Sequence, residues 1–395
     1  MNDTLMPTYM RQPVAFLRGS GVWLYDENGR AYLDALAGIA VCGLGHAHPG
    51  VAAALADQAA TLIHTSNLYR IPLQEALAAL LTEVSGMNNC FFANSGAEAN
   101  EGALKLARLH GHSRGIANPA VIVMDNSFHG RTLATLSATG NVKVQKGFEP
   151  LVEGFIRVPF GDIDAIRAAA HNHPNIAALL VEPIQGESGV RLPPQGLESY
   201  LEQLRTLCDQ HDWLMMLDEI QTGNARTGKY FAFQHSKILP DVVTTAKGLG
   251  NGFPIAAVLA AGKATHLFQP GMHGTTYGGT PLACRVALTT VQALLQGPME
   301  NARLQGIALQ QAFQKRLGHL GVEVTGLGLM LALVLPVSAL PLVERGREAG
   351  VLFAVSSENR IRLLPPLIIS TEECALLVDR LSSVVESYLR EVAGA

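Results

Sequence analysis

The sequence predicts an α/β fold, a large domain on a mostly parallel central sheet followed by a smaller α+β domain. Three observations carry this expectation. Over most of the chain, short apolar runs alternate with amphipathic stretches, the texture of βα units. From about residue 285 the texture changes to helical patterns followed by short strands. Finally, 395 residues with 48% hydrophobic content can bury sizeable cores and are too apolar for a disordered chain.

The runs CFFA (90–93), AVIVM (120–124), IAALLV (176–181), WLMML (213–217), DVVTTA (241–246) and IAAVLAA (255–261) have the length of buried strands. Between them Leu73, Leu77, Leu80, Leu81 and Val84, and then Leu197, Tyr200, Leu201, Leu204 and Leu207, recur at helical spacing. Beyond 285, helices are expected over 285–296 and 299–318, then strands in LMLALVL, VLFAV and RIRLL. A last helix is expected over 372–391. Ser370 and Glu373 form its capping box, and Leu377, Leu381, Val384, Val385 and Tyr388 share one face.

Composition excludes several functions. With 29 Lys and Arg against 33 Asp and Glu, and no basic cluster, nucleic acid and anionic membranes are poor partners. Five separated cysteines without a C-x-x-C pair argue against a disulfide framework or zinc cluster and for a reducing, cytoplasmic compartment. The first residues show no basic region followed by an apolar core, so no signal peptide is expected. Residues 324–343 carry no charge, but Gly326, Gly328, Pro336 and Pro341 break them into a strand-length piece rather than a membrane span. GNARTGKY (223–230) approaches a P-loop, yet Tyr230 stands where a magnesium-binding hydroxyl is needed and DEIQT separates it from the strand. The H-x-H pairs lack a cysteine or carboxylate at ligand spacing.

Several runs end in a polar residue: Asp125, Glu182, Asp218 and Lys247. Ligands of open α/β sheets sit beyond the carboxyl ends of strands, although any one of these could be a solvent-facing loop residue. Asp218 ends an apolar run, where an acid must find a cationic partner or become neutral. Lys247 leaves a buried strand before a glycine-rich turn, where desolvation depresses an amine's pKa and favours condensation with a carbonyl. Residues 93–101 lead from a strand into a helix. Ser95 with Glu98 reads either as a simple capping box or as a phosphate site at a helix start, with Gly96 allowing close approach. In SFHGRT (127–132), Phe128 can cover a flat ring and Arg131 can take a carboxylate, or the segment is an ordinary turn.

Taken together, SGAEANEGALKLAR, SFHGRTLATLSATG, VEPIQGESGV, MLDEIQTGNARTGKYFAF, TTAKGLGNGFPIAAV, HGTTYGGTPLACRVA and RIRLLPPLI closely resemble the class III (ω-amino acid) aminotransferases, pyridoxal 5'-phosphate enzymes of fold type I. The resemblance runs from about Pro13 to the last helix. LYDENGRAYLDALAGIAVCGLGHAHPG and HTSNLY are most similar to the branch acting on N2-acetyl-L-ornithine in arginine biosynthesis. The chain departs from the family pattern at Ser188, at Asn224 and Ala225, and at Thr280. Three parts are expected: 1–50 packing with the small domain, 51–284 binding the cofactor, and 285–395 forming the small domain.

The resemblance implies that Lys247 carries the cofactor covalently and shuttles the substrate proton. It implies that Asp218 holds the pyridinium nitrogen, Gln221 the ring hydroxyl and Phe128 the ring face. Ser95, Gly96 and Ala97 would surround the phosphate, with Thr276 reaching it from the other subunit of a homodimer. Arg131 and Thr275 would contact substrate, Arg362 would take the α-carboxylate of 2-oxoglutarate, and Glu187 would neutralise Arg362 when the amine is bound. The implied reaction moves the δ-amino group of N2-acetyl-L-ornithine to 2-oxoglutarate. Succinylornithine, ornithine and 4-aminobutyrate are alternative amines. A P-loop hydrolase or a non-catalytic binding protein on this fold are remoter readings.

Overall fold

The computed structural model describes residues 4–394. The chain opens on three antiparallel strands, β1 (Phe16–Ser20), β2 (Trp23–Asp26) and β3 (Ala31–Asp34). Seven strands then build the main sheet: β4 (Asn89–Ala93), β5 (Ala120–Met124), β6 (Phe155–Val158), β7 (Ile176–Val181), β8 (Leu214–Asp218), β9 (Val242–Thr245) and β10 (Ala256–Ala260). Their order is β4-β10-β9-β8-β7-β5-β6. Neighbours from β6 to β9 are parallel, and β10 runs against both of its own.

The six predicted runs are these strands, shifted by at most a residue or so at their ends. They read as unbroken apolar runs because both faces are covered. Val121, Val123, Leu180 and Met216 pack under the helix Gly96–Ser113, against Ala99, Ala103 and Ala107. The alternate residues Ile122, Met124, Leu179 and Met215 face the other way, towards Leu201 and Leu204 of the helix Leu197–Gln210. The apolar pattern does not predict β6; FIRV has only partly buried positions until Val158 and lies at the sheet edge.

The C-terminal part holds β11 (Glu323–Leu327), β12 (Met330–Val334), β13 (Val351–Leu352), β14 (Ala354–Ser356) and β15 (Arg360–Leu363). The uncharged stretch 324–343 folds as the β11–β12 hairpin and its continuation, and among the described residues no helix is long and apolar enough to cross a membrane. The single strand expected in VLFAV is in fact two. Val351–Leu352 joins β3 in parallel, whereas Ala354–Ser356 pairs with β15. Phe353 between them turns its ring onto Gly346, so the chain steps from one sheet to the other there. The last helix, Thr371–Gly394, has the expected reciprocal cap: Ser370 N donates to Glu373 Oε2 (2.9 Å) and Glu373 N to Ser370 Oγ (3.2 Å).

Arg226 ties the two sheet systems together. It is 2% exposed, and its Nη1 donates to the carbonyls of Leu329 (3.0 Å) and Pro365 (2.5 Å). Burial pulls its guanidinium down to about 9, with Asp34 opposing. Arg226→Met is expected to destabilise the fold, because each buried carbonyl left unpaired costs roughly 1–3 kcal/mol. Burying a thioether instead of a charge offsets only part of this. Urea unfolding should show a lower midpoint at constant slope, and an unchanged midpoint would refute the clamp.

Candidate active site

The carboxyl ends of β8 and β9 and the start of the helix Gly96–Ser113 enclose a cavity of about 380 Å³. Among the residues lining it are Ser95, Gly96, Ala97, Phe128, Arg131, Glu187, Asp218, Gln221 and Lys247.

Asp218 is 4% exposed and ends β8. Its Oδ2 accepts from Asn100 Nδ2 (2.7 Å) and lies 2.8 Å from His129 Nδ1, while Oδ1 accepts from Ile220 N (3.1 Å). Asn100 is fixed in turn, donating to His129 O (2.8 Å) and accepting from Thr244 Oγ1 (2.8 Å). The carboxylate is thus braced from behind and aimed into the cavity.

Lys247 follows β9 with φ at +42°, a left-handed backbone that a residue with a Cβ adopts at a cost. Its ammonium has no hydrogen-bond or ion-pair partner among the described residues. Burial lowers its pKa to about 8, helped by the Arg362 charge and opposed by Glu187, Asp218 and Glu182.

At the helix start Ser95 caps through Oγ, which accepts from Glu98 N (3.3 Å). The expected reciprocal box is displaced by one residue, since Glu98 Oε2 accepts from Asn94 N (2.6 Å) and Nδ2 (2.9 Å). The N–H groups of Gly96 and Ala97 open the helix and have no intrahelical acceptor. A Cβ on Gly96 would come within 2.8 Å of Ile220 Cδ1, so the backbone approach to the cavity depends on glycine.

Phe128 N donates to Glu182 Oε1 (2.8 Å), which holds the Phe128 ring at the wall; the Arg131 guanidinium lies 5.7 Å from that ring. Glu182 Oε2 accepts from Gly186 N (3.0 Å), and burial pushes its carboxyl up to about 7. Arg362, 2% exposed on β15, pairs with Glu187 Oε2 (2.9 Å) and donates to Gly186 O (3.1 Å). Burial pushes the Glu187 carboxyl up, but the Arg362 charge and hydrogen bond outweigh this and hold it below the ordinary range.

Thr275 and Thr276 stand apart from this cavity within one chain. Thr275 Oγ1 accepts from Asn94 Nδ2 (3.1 Å) and lines a smaller neighbouring cleft, and Thr276 is exposed. The motif reading of 127–132 passes over His129 between Phe128 and Arg131, and nothing in its spacing marks it. Asn100 is equally silent, one turn into the helix. The departures have local reasons. Asn224 and Ala225 sit at φ +55° and +69°, and Asn224 Nδ2 donates to Thr245 Oγ1 and Ala246 O (both 2.9 Å), one residue before Lys247. Ser188 Oγ donates to Gln185 Oε1 (3.1 Å).

The donor set fits pyridoxal 5'-phosphate. Gln221 Oε1 is buried and has no partner among the described residues, as a group awaiting a ring substituent would be. Asp218 offers an anion for a ring nitrogen, the helix start offers N–H groups for a phosphate, and Lys247 offers an unpaired amine for an aldehyde.

Residues 6–385 match the family model for class III aminotransferases, and the chain belongs to that family. Its members are pyridoxal-phosphate-dependent transaminases, and so is this protein. The chain is 52% identical over 388 residues to the acetylornithine aminotransferase of Nitrosomonas europaea, covering 98% of both chains. Among solved structures it superposes on the ornithine aminotransferase of Toxoplasma gondii with a TM-score of 0.94 at 32% identity, covering 98% of this chain and 94% of the other. It superposes on the acetylornithine aminotransferase of Elizabethkingia anophelis with a TM-score of 0.88 at 35% identity, covering 98% and 97%.

Proposed function

We propose that the enzyme transfers the δ-amino group of N2-acetyl-L-ornithine to 2-oxoglutarate, giving N-acetyl-L-glutamate 5-semialdehyde and L-glutamate in arginine biosynthesis. The observation that carries this is the Arg362–Glu187 pair, whose Glu187 lines the same cavity as Lys247, in a chain whose curated relatives bear the acetylornithine name.

When bound, pyridoxal phosphate supplies an aldehyde and a cationic ring that draws electrons from the carbon losing its proton. Lys247 would hold the aldehyde, and its Nζ would take up and return the proton of the substrate carbon. Its lowered pKa suits both tasks. Asp218, braced by Asn100 and His129, would keep the ring nitrogen protonated. Gln221 would meet the ring hydroxyl, Phe128 would cover the ring, and Ser95, Gly96 and Ala97 would receive the phosphate. Arg131 meets the substrate from the cavity wall, and Thr275, outside the cavity of its own chain, meets the substrate of the other subunit. An ω-amine is admitted while Glu187 neutralises Arg362. A dicarboxylate oxo acid displaces Glu187 and pairs with Arg362, so one site serves both halves of the cycle.

The working unit we propose is a cytoplasmic homodimer in which Thr276 completes the other subunit's phosphate site. Leu68 (88% exposed) and Tyr277 (66%) expose apolar side chains on segments joined by Asn67, which donates to Thr275 O and Gly278 O on either side of Thr276. The three-part division at 51 and 285 belongs to the same proposal, supported by the pairing of β3 with β13.

The test compares initial rates with N2-acetylornithine, N2-succinylornithine, ornithine and 4-aminobutyrate. N2-acetylornithine is expected to give the highest kcat/KM, by about tenfold over unacetylated ornithine, the worth of one well-placed contact near 1.4 kcal/mol. A preference for ornithine or 4-aminobutyrate would overturn the substrate assignment.

A further inference from the structure

The turn 185–191 borders two cavities. Glu187 lines the active site, whereas Gln185 and Arg191 line a second cavity of about 410 Å³. This second space lies beyond the carboxyl ends of β5 and β6, a position where open α/β sheets take ligands, and is closed on the other side by β11 and β15.

Four charged side chains line it: Asp125, Arg191, Glu323 and Arg360. None makes an ion pair within 4.0 Å among the described residues. Arg191 Nε donates to Ser188 O and Arg360 Nη1 to Gly189 O (both 3.1 Å), leaving the other guanidinium N–H groups without a protein acceptor among the described residues. Neither carboxylate accepts a side-chain or backbone hydrogen bond in the described structure. Burial and the Arg191 charge lower the pKa of Arg360, with Glu323 opposing, so Arg360 feels both a cation and an anion across this space. Charges of both signs are thus held apart around one space, which a single molecule bearing both would satisfy.

The geometry points to a binding site for a zwitterionic amino acid, its carboxylate between Arg191 and Arg360, its ammonium towards Asp125 and Glu323, and its side chain against Phe160 and Leu192. Occupancy reaches the active site by a short route. β15 carries both Arg360 and Arg362, and the turn carries both Arg191 and Glu187. A ligand drawing turn and strand together favours the Glu187–Arg362 pair and opposes the dicarboxylate that must break it. This coupling rests on the roles proposed for Glu187 and Arg362; the binding does not.

The test uses the full-length holoenzyme reduced with borohydride, which blocks the active site, and labelled L-norvaline in equilibrium dialysis. Saturable binding of one molecule per chain is expected. Arg360→Gln and Glu323→Gln should each weaken it roughly 10-fold or more, as should N-acetylation of the ligand, which removes its positive charge. Both variants should keep the basal kcat of unreduced enzyme, which shows that they fold. No saturable binding, binding unmoved by both substitutions, or equal binding of N-acetyl-L-norvaline would overturn the site. In active enzyme L-norvaline should raise KM for the oxo acid about fivefold and leave that for the amine alone. An unchanged oxo-acid KM would overturn the coupling, while dialysis tests the site itself whichever amine the enzyme prefers.

Discussion

Lys247→Ala is expected to lower turnover on the order of 10⁴-fold, the upper end of what a positioned proton-transfer group contributes. The loss cannot be ascribed to unfolding. Lys247 makes no hydrogen bond or ion pair among the described residues, and burial already works against its charge, so its removal relieves a desolvation cost. Alanine also tolerates φ +42° no worse than lysine does, both having a Cβ. Thermal unfolding of the cofactor-free variant should therefore match or exceed that of the cofactor-free parent. Borohydride reduction followed by peptide mapping should place the pyridoxyl label at residue 247 of the parent and nowhere in the variant. With cofactor-free enzyme, incorporation should rise with pH to a midpoint near 8, because the amine reacts only when neutral and burial has lowered its pKa to that value. A midpoint near the ordinary lysine value, label on another lysine, or a variant within tenfold of parental turnover would each remove Lys247 from the centre of the site.

The residues that meet the ligand are legible because their chemistry demands unusual sequence. An acid or an amine at the end of an apolar run has no reason to be there unless something charged faces it, which is why Asp218 and Lys247 stand out. Ser95, Gly96 and Phe128 are legible only in concert, since each alone has an ordinary reading as cap or turn. What escapes is the support behind them. His129 and Asn100 brace Asp218 from 89 and 118 residues away, and no local pattern records such a meeting. Arg226 lies inside the failed P-loop pattern and is dismissed with it, yet it clamps Leu329 and Pro365. The strands of the main sheet follow from composition because both faces are dry. The break in VLFAV does not, because one apolar run can serve two sheets when a single residue, Phe353, turns the corner.

Asp218→Asn is expected to cost roughly 10²–10³-fold in kcat, the scale on which a lost preorganised electrostatic partner is felt. The substitution keeps the size of the side chain. Its amide oxygen can still accept from Asn100 and His129 in place of Oδ2, while its NH₂ would face the Ile220 N–H that Oδ1 now receives. That mismatch costs about 1–3 kcal/mol of stability at most. What disappears is the negative charge opposite the ring nitrogen, so the ring is no longer held protonated while the substrate carbon gives up its proton. The deficit should therefore lie in kcat with both amine and oxo acid, and KM should move little because neither substrate touches Asp218. It should also show as a reduced rate of exchange of the substrate's reacting C–H hydrogen with solvent, a readout that a purely structural role would not move while the variant remains folded. His129→Gln provides the comparison. It removes one brace but keeps the carboxylate, and about tenfold is the expected loss, one hydrogen bond to a charged group. If Asp218→Asn stayed within threefold of the parent, or if His129→Gln proved the more damaging of the two, the charge at the end of β8 would not be what drives the chemistry.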